Sequence, residues 1–193
     1  MRTPGPLVHG KMAIILPSAF INSLAIGTTS LGILFVVKDL FGASPALVGS
    51  LGALWSAAYF IGCLALRGLS RRLAPRKAMA SMLASSAAIL TILVVRPSLV
   101  AAFACYAAYG FVTALYWPPL MCWLSKGCEG AKLNTAPSLF SFSWSVGGIF
   151  SPYIAGLLSE RPKLIPLISS LIPFTLNATF IGVPRYRSRE RRP

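Results

Sequence analysis

The chain has 193 residues, of which 55% are hydrophobic and 11% charged, and its formal net charge is +14. A soluble domain usually carries about 25% charged residues, so this chain has too little polar surface to cover a water-soluble globule, and the bilayer is its natural solvent. The basic residues lie in short clusters between long apolar runs rather than interleaved with aromatic residues on one face, which argues against a nucleic-acid partner.

A bilayer-spanning helix needs about 20 mostly apolar residues. The first run, Met12 to Val37, ends at Lys38-Asp39. It follows Arg2 and Lys11 as a signal peptide would, but the apolar core is too long and shows no clear small-residue cleavage site, so it is read as a retained helix. Ser44-Pro45 reads as a helix start, a capping serine before a proline whose missing N–H is not needed there. The second run, Pro45 to Leu66, is ended by Arg67 and the cluster Arg71, Arg72, Arg76, Lys77. The third, Ala78 to Val95, stops at Arg96-Pro97, and the fourth is Ser98 to Leu124. A polar link with Lys126, Glu129 and Lys132 precedes the fifth, Asn134 to Leu158, which stops at Ser159 to Lys163. The sixth is Leu164 to Val183, and a basic tail, Pro184 to Pro193, follows. The expected architecture is therefore an all-α integral membrane bundle of six helices, forming one domain over residues 12–183 between an N-terminal segment 1–11 and the tail 184–193.

Charge orients these spans. With six of them, the N-terminus, the second-to-third loop, the fourth-to-fifth loop and the C-terminus share one side, which holds fourteen of the 18 Lys and Arg residues. The other side holds the remaining four, Lys38, Arg96, Arg161 and Lys163. Cytoplasmic loops carry the excess of Lys and Arg, so both termini are expected in the cytoplasm, with the chain in a plasma or inner membrane. The net charge is mostly a topology signal.

The second and fifth spans repeat at an offset of 89 residues: Trp55-Ser56 matches Trp144-Ser145, and Leu69 to Arg72 matches Leu158 to Arg161 at three of four positions. A unit of three spans, repeated, must sit inverted in the membrane because three is odd, and inverted repeats build many secondary transporters.

These features carry a resemblance. The fifth span, Phe142 to Gly156, resembles the fifth-span motif G-x-x-x-G-P-x-x-G-G of the major facilitator superfamily: Gly147, Ser151, Pro152, Ala155 and Gly156 fall on it, with serine and alanine replacing two glycines. Such small residues let helices approach closely, and proline bends them. The loop Leu69 to Lys77 is similar to that family's G-x-L-A-D-R-x-G-R-R pattern, with Leu69, Arg72, Arg76 and Lys77 fitting in type. Arg71 stands at the aspartate position, and Arg67 and Ala74 stand at the two glycine positions. The resemblance is to the N-terminal six-span half of a family whose members have about twelve spans. It implies alternating-access transport of a small molecule, by a half that works with a second six-span half or as a homodimer, or by a fragment of a longer transporter. It also implies that the first, second, fourth and fifth spans line the pathway.

Polar residues inside a membrane face a cavity or another helix. Tyr106, Tyr109, Thr113 and Tyr116 share one face of the fourth span, and Ser18, Asn22 and Thr29 share one face of the first. Ser138, Ser141, Ser145, Gly148 and Pro152 form a stripe on the fifth, and the second adds Ser56 and Tyr59. The pathway candidates are Asn22, Tyr59, Tyr106, Tyr109, Thr113, Tyr116, Ser141 and Ser145; interhelical packing is the other reading of each. Tyr116, Trp117 and Trp123, near a span end, also fit interface anchors. Asn177-Ala178-Thr179 matches a glycosylation sequon but lies inside the sixth span, where it should be inert.

No catalytic residue is expected: there is no His–Asp pair and no nucleophile with an evident base. Cys63, Cys105, Cys122 and Cys128 form no C-x-x-C pair, and His9 is the one histidine, so the cysteines read as packing residues and neither metal nor cofactor is implied. The rival to transport is a non-transporting membrane protein: an assembly or regulatory half, or an inactive remnant. No Asp, Glu, Lys, Arg or His lies deep in a span. Conservative replacement of Glu129 and Glu160 is therefore expected to leave transport largely intact. Abolished uptake in a correctly inserted Glu129→Gln or Glu160→Gln protein would refute this.

Overall fold

In the hydrocarbon core every backbone N–H and C=O must find its partner within the protein, which leaves helices as the form an open chain can take. The computed structural model describes residues 6–126 and 131–182, with side-chain surroundings described for 11–126 and 134–182. Arg2, Cys128, Glu129, the tail and the side chains of His9 and Lys132 fall outside these. The described residues form α1 (Pro6–Phe35), α2 (Pro45–Ala65), α3 (Arg67–Arg72), α4 (Pro75–Val95), α5 (Leu99–Thr113), α6 (Trp117–Ser125), α7 (Ala131–Ser159) and α8 (Ile165–Gly182). They contain no strand, and the protein is an all-α membrane bundle.

Five segments are long and apolar enough to cross a membrane: Lys11–Leu40, Pro45–Ala65, Pro75–Val95, Leu99–Ser125 and Ile165–Gly182. α7 is not among them, although its 29 residues reach roughly 44 Å at 1.5 Å per residue. Ser138, Ser141, Ser143, Ser145 and Ser151, with Gly147, Gly148 and Gly156, dilute its hydropathy.

Helix boundaries follow local chemistry. α1 loosens after Phe35 into a wide helical turn, Val36–Leu40, and Gly42 at φ 61° then turns the chain. Ser44 caps α2 by accepting from the Leu47 N–H at 3.3 Å, and Ser98 caps α5 by accepting from the Ala101 N–H at 3.0 Å. Two features depart from the sequence reading. The basic loop after the second run is itself partly helical, as α3, and α4 already begins at Pro75. The fourth run is two helices. Pro118 and Pro119 lack the N–H groups that would bond the carbonyls of Ala114 and Leu115. The chain there tightens to bonds three residues apart, Ala114 N–H to Phe111 O at 3.3 Å, Leu115 N–H to Val112 O at 3.0 Å and Tyr116 N–H to Thr113 O at 3.0 Å.

The packing pairs α1 with α7 and α8, α5 with α2 and α4, and α4 with α8. Exchanging the first three runs with the last three maps these pairs onto one another: first–fifth onto fourth–second, first–sixth onto fourth–third, and third–sixth onto itself. The inverted triplets expected from the 89-residue offset require this network. Equivalent small residues sit at its crossings. A Cβ on Gly62 would stand 2.5 Å from the Phe111 carbonyl oxygen, and Ser151, its counterpart in the repeat, packs against Gly27, where a Cβ would stand 2.0 Å from the serine Oγ.

Both ends are tied by cations on carbonyls. The Lys11 ammonium donates to the carbonyls of Trp123 (3.3 Å), Leu124 (3.1 Å) and Lys126 at the end of α6. The Arg76 guanidinium donates to the Ile181 carbonyl from Nε at 3.1 Å and from a terminal nitrogen at 2.7 Å, at the end of α8. Each cation meets carbonyls that the helix leaves without partners. At the opposite end Lys163 donates to the Asp39 carbonyl. The start of α1 and the end of α8 therefore lie at one end of the bundle, with the α3–α4 loop.

The α1–α7 seam yields a paired test. A Cβ on Gly147 would stand 2.5 Å from the Phe20 carbonyl oxygen and 2.9 Å from Ser23 Cβ, whereas one on Gly156 would meet nothing within 4 Å. Gly147→Ala is expected to destabilise by about 1–3 kcal/mol, as overpacking does, and Gly156→Ala to be nearly neutral. Thermal unfolding in detergent checks both, and equal melting temperatures for the two variants would contradict the seam.

Candidate functional site

The bundle interior contains a set of polar groups that apolar packing does not explain. Ser18 and Asn22 lie one turn apart on α1, and both are fully buried. The Tyr116 hydroxyl, at the break between α5 and α6, is 3.4 Å from Ser18 Oγ. The Asn177 amide on α8 donates to the Ser18 carbonyl at 3.1 Å. Ser18 is thus the point where the first, fourth and sixth runs meet through polar atoms. Asn22 faces the Tyr116 hydroxyl. Beyond that approach, its amide nitrogen and oxygen, and the Asn177 amide oxygen, make no well-formed hydrogen bond. A buried donor or acceptor left unpaired is worth about 1–3 kcal/mol of destabilisation, and no bulk water compensates within lipid.

A second group lies along α5. Thr113 Oγ1 donates to the Tyr109 carbonyl at 2.7 Å, whereas the buried Tyr109 hydroxyl is unpartnered. The Tyr109 ring meets Phe174 edge-on at 6.0 Å, Tyr106 at 6.1 Å and Trp55 at 6.4 Å. Tyr59, half-buried on α2, stacks on Trp55 at 5.4 Å and 2°. Beyond the break, Trp117 packs on Trp144 of α7 at 4.7 Å and on Phe140 at 5.9 Å. Trp55 and Trp144, the tryptophans that the repeat pairs, therefore each close on one half of the broken fourth run.

All five of Asn22, Tyr106, Tyr109, Thr113 and Tyr116 are buried inside the bundle, Asn22 with Tyr116 in the first group and Tyr106, Tyr109 and Thr113 in the second, with Tyr59 at the second group's edge. Tyr116 is fully enclosed, so it is not an interface anchor. Ser141 and Ser145 are elsewhere: with Ser138 and Pro152 they are exposed on α7, while Gly148, also exposed, borders the α1 seam, where a Cβ would stand 3.5 Å from Ser23 Oγ. The intervening Ser143 faces inward and donates to the Leu16 carbonyl at 2.6 Å. The fifth-span motif divides in the same way. Gly147, Ser151 and Ala155 are buried, the first two against α1, while Pro152 and Gly156 face outward. Of the loop residues, Arg76 ties α4 to α8, and Arg72 and Lys77 are exposed.

Sequence reading passed over Ser18 as a junction and Asn177 as a member of the set. The signal for Asn177 was present, a lone amide on an apolar helix, which in a membrane marks a specific contact. The polar residues buried among the described ones are serine, threonine, asparagine and tyrosine, so the interior site is uncharged. The buried amide of Asn177 also bears on its sequon. Expression in glycosylating membranes is expected to leave Asn177 unmodified, and a mass increase removed by Asn177→Gln would contradict the placement.

Comparison with known proteins gives one match. The sequence model of a family described as Major Facilitator Superfamily matches residues 15–192. No curated protein and no solved structure matches the chain.

Proposed function

Because the chain belongs to the Major Facilitator Superfamily, whose function is of transporter type, we propose that it carries a small, uncharged, hydrogen-bonding molecule across the membrane by alternating access. The observation that carries this reading is Asn22. Its amide is fully buried beside the Ser18–Tyr116 contact, yet beyond its approach to the Tyr116 hydroxyl neither of its polar atoms makes a well-formed hydrogen bond. A group held at that energetic disadvantage is matched to something that arrives and leaves. Asn22, Tyr109 and Tyr116 would supply hydrogen bonds, and Tyr106 and Tyr59 aromatic surface. With no buried charge in the set, a neutral solute fits better than an ion.

The spans run at about 12–37, 45–66, 78–95, 98–124, 134–158 and 164–183. Both termini lie on the cytoplasmic side of a plasma or inner membrane: of the eleven Lys and Arg residues whose surroundings are described, the end joined by Lys11 and Arg76 carries seven, against Lys38, Arg96, Arg161 and Lys163 at the other. A second six-span half, from another copy or another chain, completes the transporter. The outward faces of α2 and α7, with Ser56, Ser141, Ser145 and Gly156 exposed, are where it packs. Ser141 and Ser145 would then line the pathway from that side.

Uptake into proteoliposomes tests this, with neutral polyols, sugars and amides set beside organic anions and cations. Exchange of both amide atoms for apolar ones of similar shape can be neutral or stabilising for the fold. Asn22→Leu is therefore expected to hold or raise the melting temperature while lowering uptake of the neutral solute about tenfold, the equivalent of one lost hydrogen bond. Wild-type uptake in Asn22→Leu, or no uptake of any solute by the chain alone, crosslinked as a dimer or joined to a second half, overturns the reading.

A further inference from the structure

The end of the bundle that holds Lys11 and Arg76 also presents cations that no described acidic residue faces. Arg67 and Arg71 stand one turn apart on α3, Arg72 follows, and Lys77 opens α4; all four are exposed. The described acidic residues lie at the opposite end: Asp39 beside Lys163, and Glu160 just after α7.

α3 itself is hard to account for. It has six residues and buries none of them, and short helices draw their stability from tertiary packing rather than propensity. Like charges four residues apart on a helix repel, so Arg67 and Arg71 oppose the helix they occupy. α3 packs against the end of α2 and against α6, but neither brings an acidic residue to it, so a negative partner outside the described protein would relieve the repulsion. The surroundings say what kind of negative surface. Leu69 is 44% exposed on α3, and Leu64 and Ile61, just before it on α2, are 65% and 56% exposed. Cations and bare aliphatic side chains therefore adjoin where the helix leaves the bilayer.

We propose that α3 and the start of α4 form a docking site for an anionic phospholipid. Its phosphate sits among the guanidinium groups of Arg67, Arg71 and Arg72, and its acyl chains lie along Leu69, Leu64 and Ile61. Guanidinium forks match phosphate oxygens in bidentate geometry, and basic segments beside spanning helices gain affinity from each cation near an anionic surface. Arg76 is already held by the Ile181 carbonyl, and it anchors this corner against α8. The site is independent of what the interior transports.

Native mass spectrometry of the purified full chain tests it, with phosphatidylglycerol titrated against phosphatidylcholine. Phosphatidylglycerol is expected to bind at least about tenfold tighter. The triple variant Arg67→Gln, Arg71→Gln, Arg72→Gln should lose that preference. The control Arg185→Gln, Arg187→Gln, Arg189→Gln, in the tail, should keep it. Should the first triple not fold, Arg71→Gln with Arg72→Gln is expected to reduce the preference severalfold. Retained preference in whichever loop variant folds overturns the proposal, as does equal loss in the tail control. Complete displacement of the lipid by millimolar inorganic phosphate also overturns it, because the acyl chains would then contribute nothing.

Discussion

The constraint on which the structure rests is that hydrocarbon offers nothing to a backbone amide. Where the helical ladder is continuous the constraint is met locally, and the side chains need only pack. Where it fails, something must take its place. Pro118 and Pro119 withhold two donors, and the chain answers with a short run of tighter bonds through Ala114, Leu115 and Tyr116. That repair places Tyr116 at the break between α5 and α6, from which its hydroxyl reaches α1. The proline pair thus sets where the polar interior lies.

Small residues then bring the helices close enough for such contacts. Gly147 and Gly62 let α7 and α2 ride directly on the backbones of α1 and α5. Lipid supplies no hydrophobic drive between helices, so van der Waals fit and a few hydrogen bonds hold them. Ser143 on the Leu16 carbonyl and Asn177 on the Ser18 carbonyl are bonds of this kind. Against that background Asn22 is the exception, a buried amide without a well-formed hydrogen bond.

Much of this was legible in the residues. Runs of apolar side chains, Ser44 and Ser98 as caps, and the partition of Lys and Arg follow from rules that act over a few neighbours. The tyrosine face was legible too, because a single helical period places Tyr106, Tyr109, Thr113 and Tyr116 together. The break in the fourth run was written in Pro118-Pro119, but a reading tuned to apolar length passes over it. The face of α7 was not legible at all. Serines and glycines occur on both its sides, since close packing and an outward polar surface ask for the same small residues, and the period cannot say that Ser143 is inside and Ser141 outside. The partners of Lys11 and Arg76 lie more than a hundred residues away in sequence, 113 for the Leu124 carbonyl and 105 for Ile181, and no local pattern encodes them.

Those two ties also bear on how the protein is made. Lys11 joins the first run to the fourth and Arg76 the third to the sixth, so each crosses from the early triplet to the late one. During synthesis the cations emerge first and wait at the membrane surface, charged and hydrated, which holds their helix ends on one side while the rest is threaded. Their acceptors, the last carbonyls of α6 and α8, appear only when those helices are finished. The Lys11 tie can therefore close only once the fourth run is in place, and the Arg76 tie only once the sixth is.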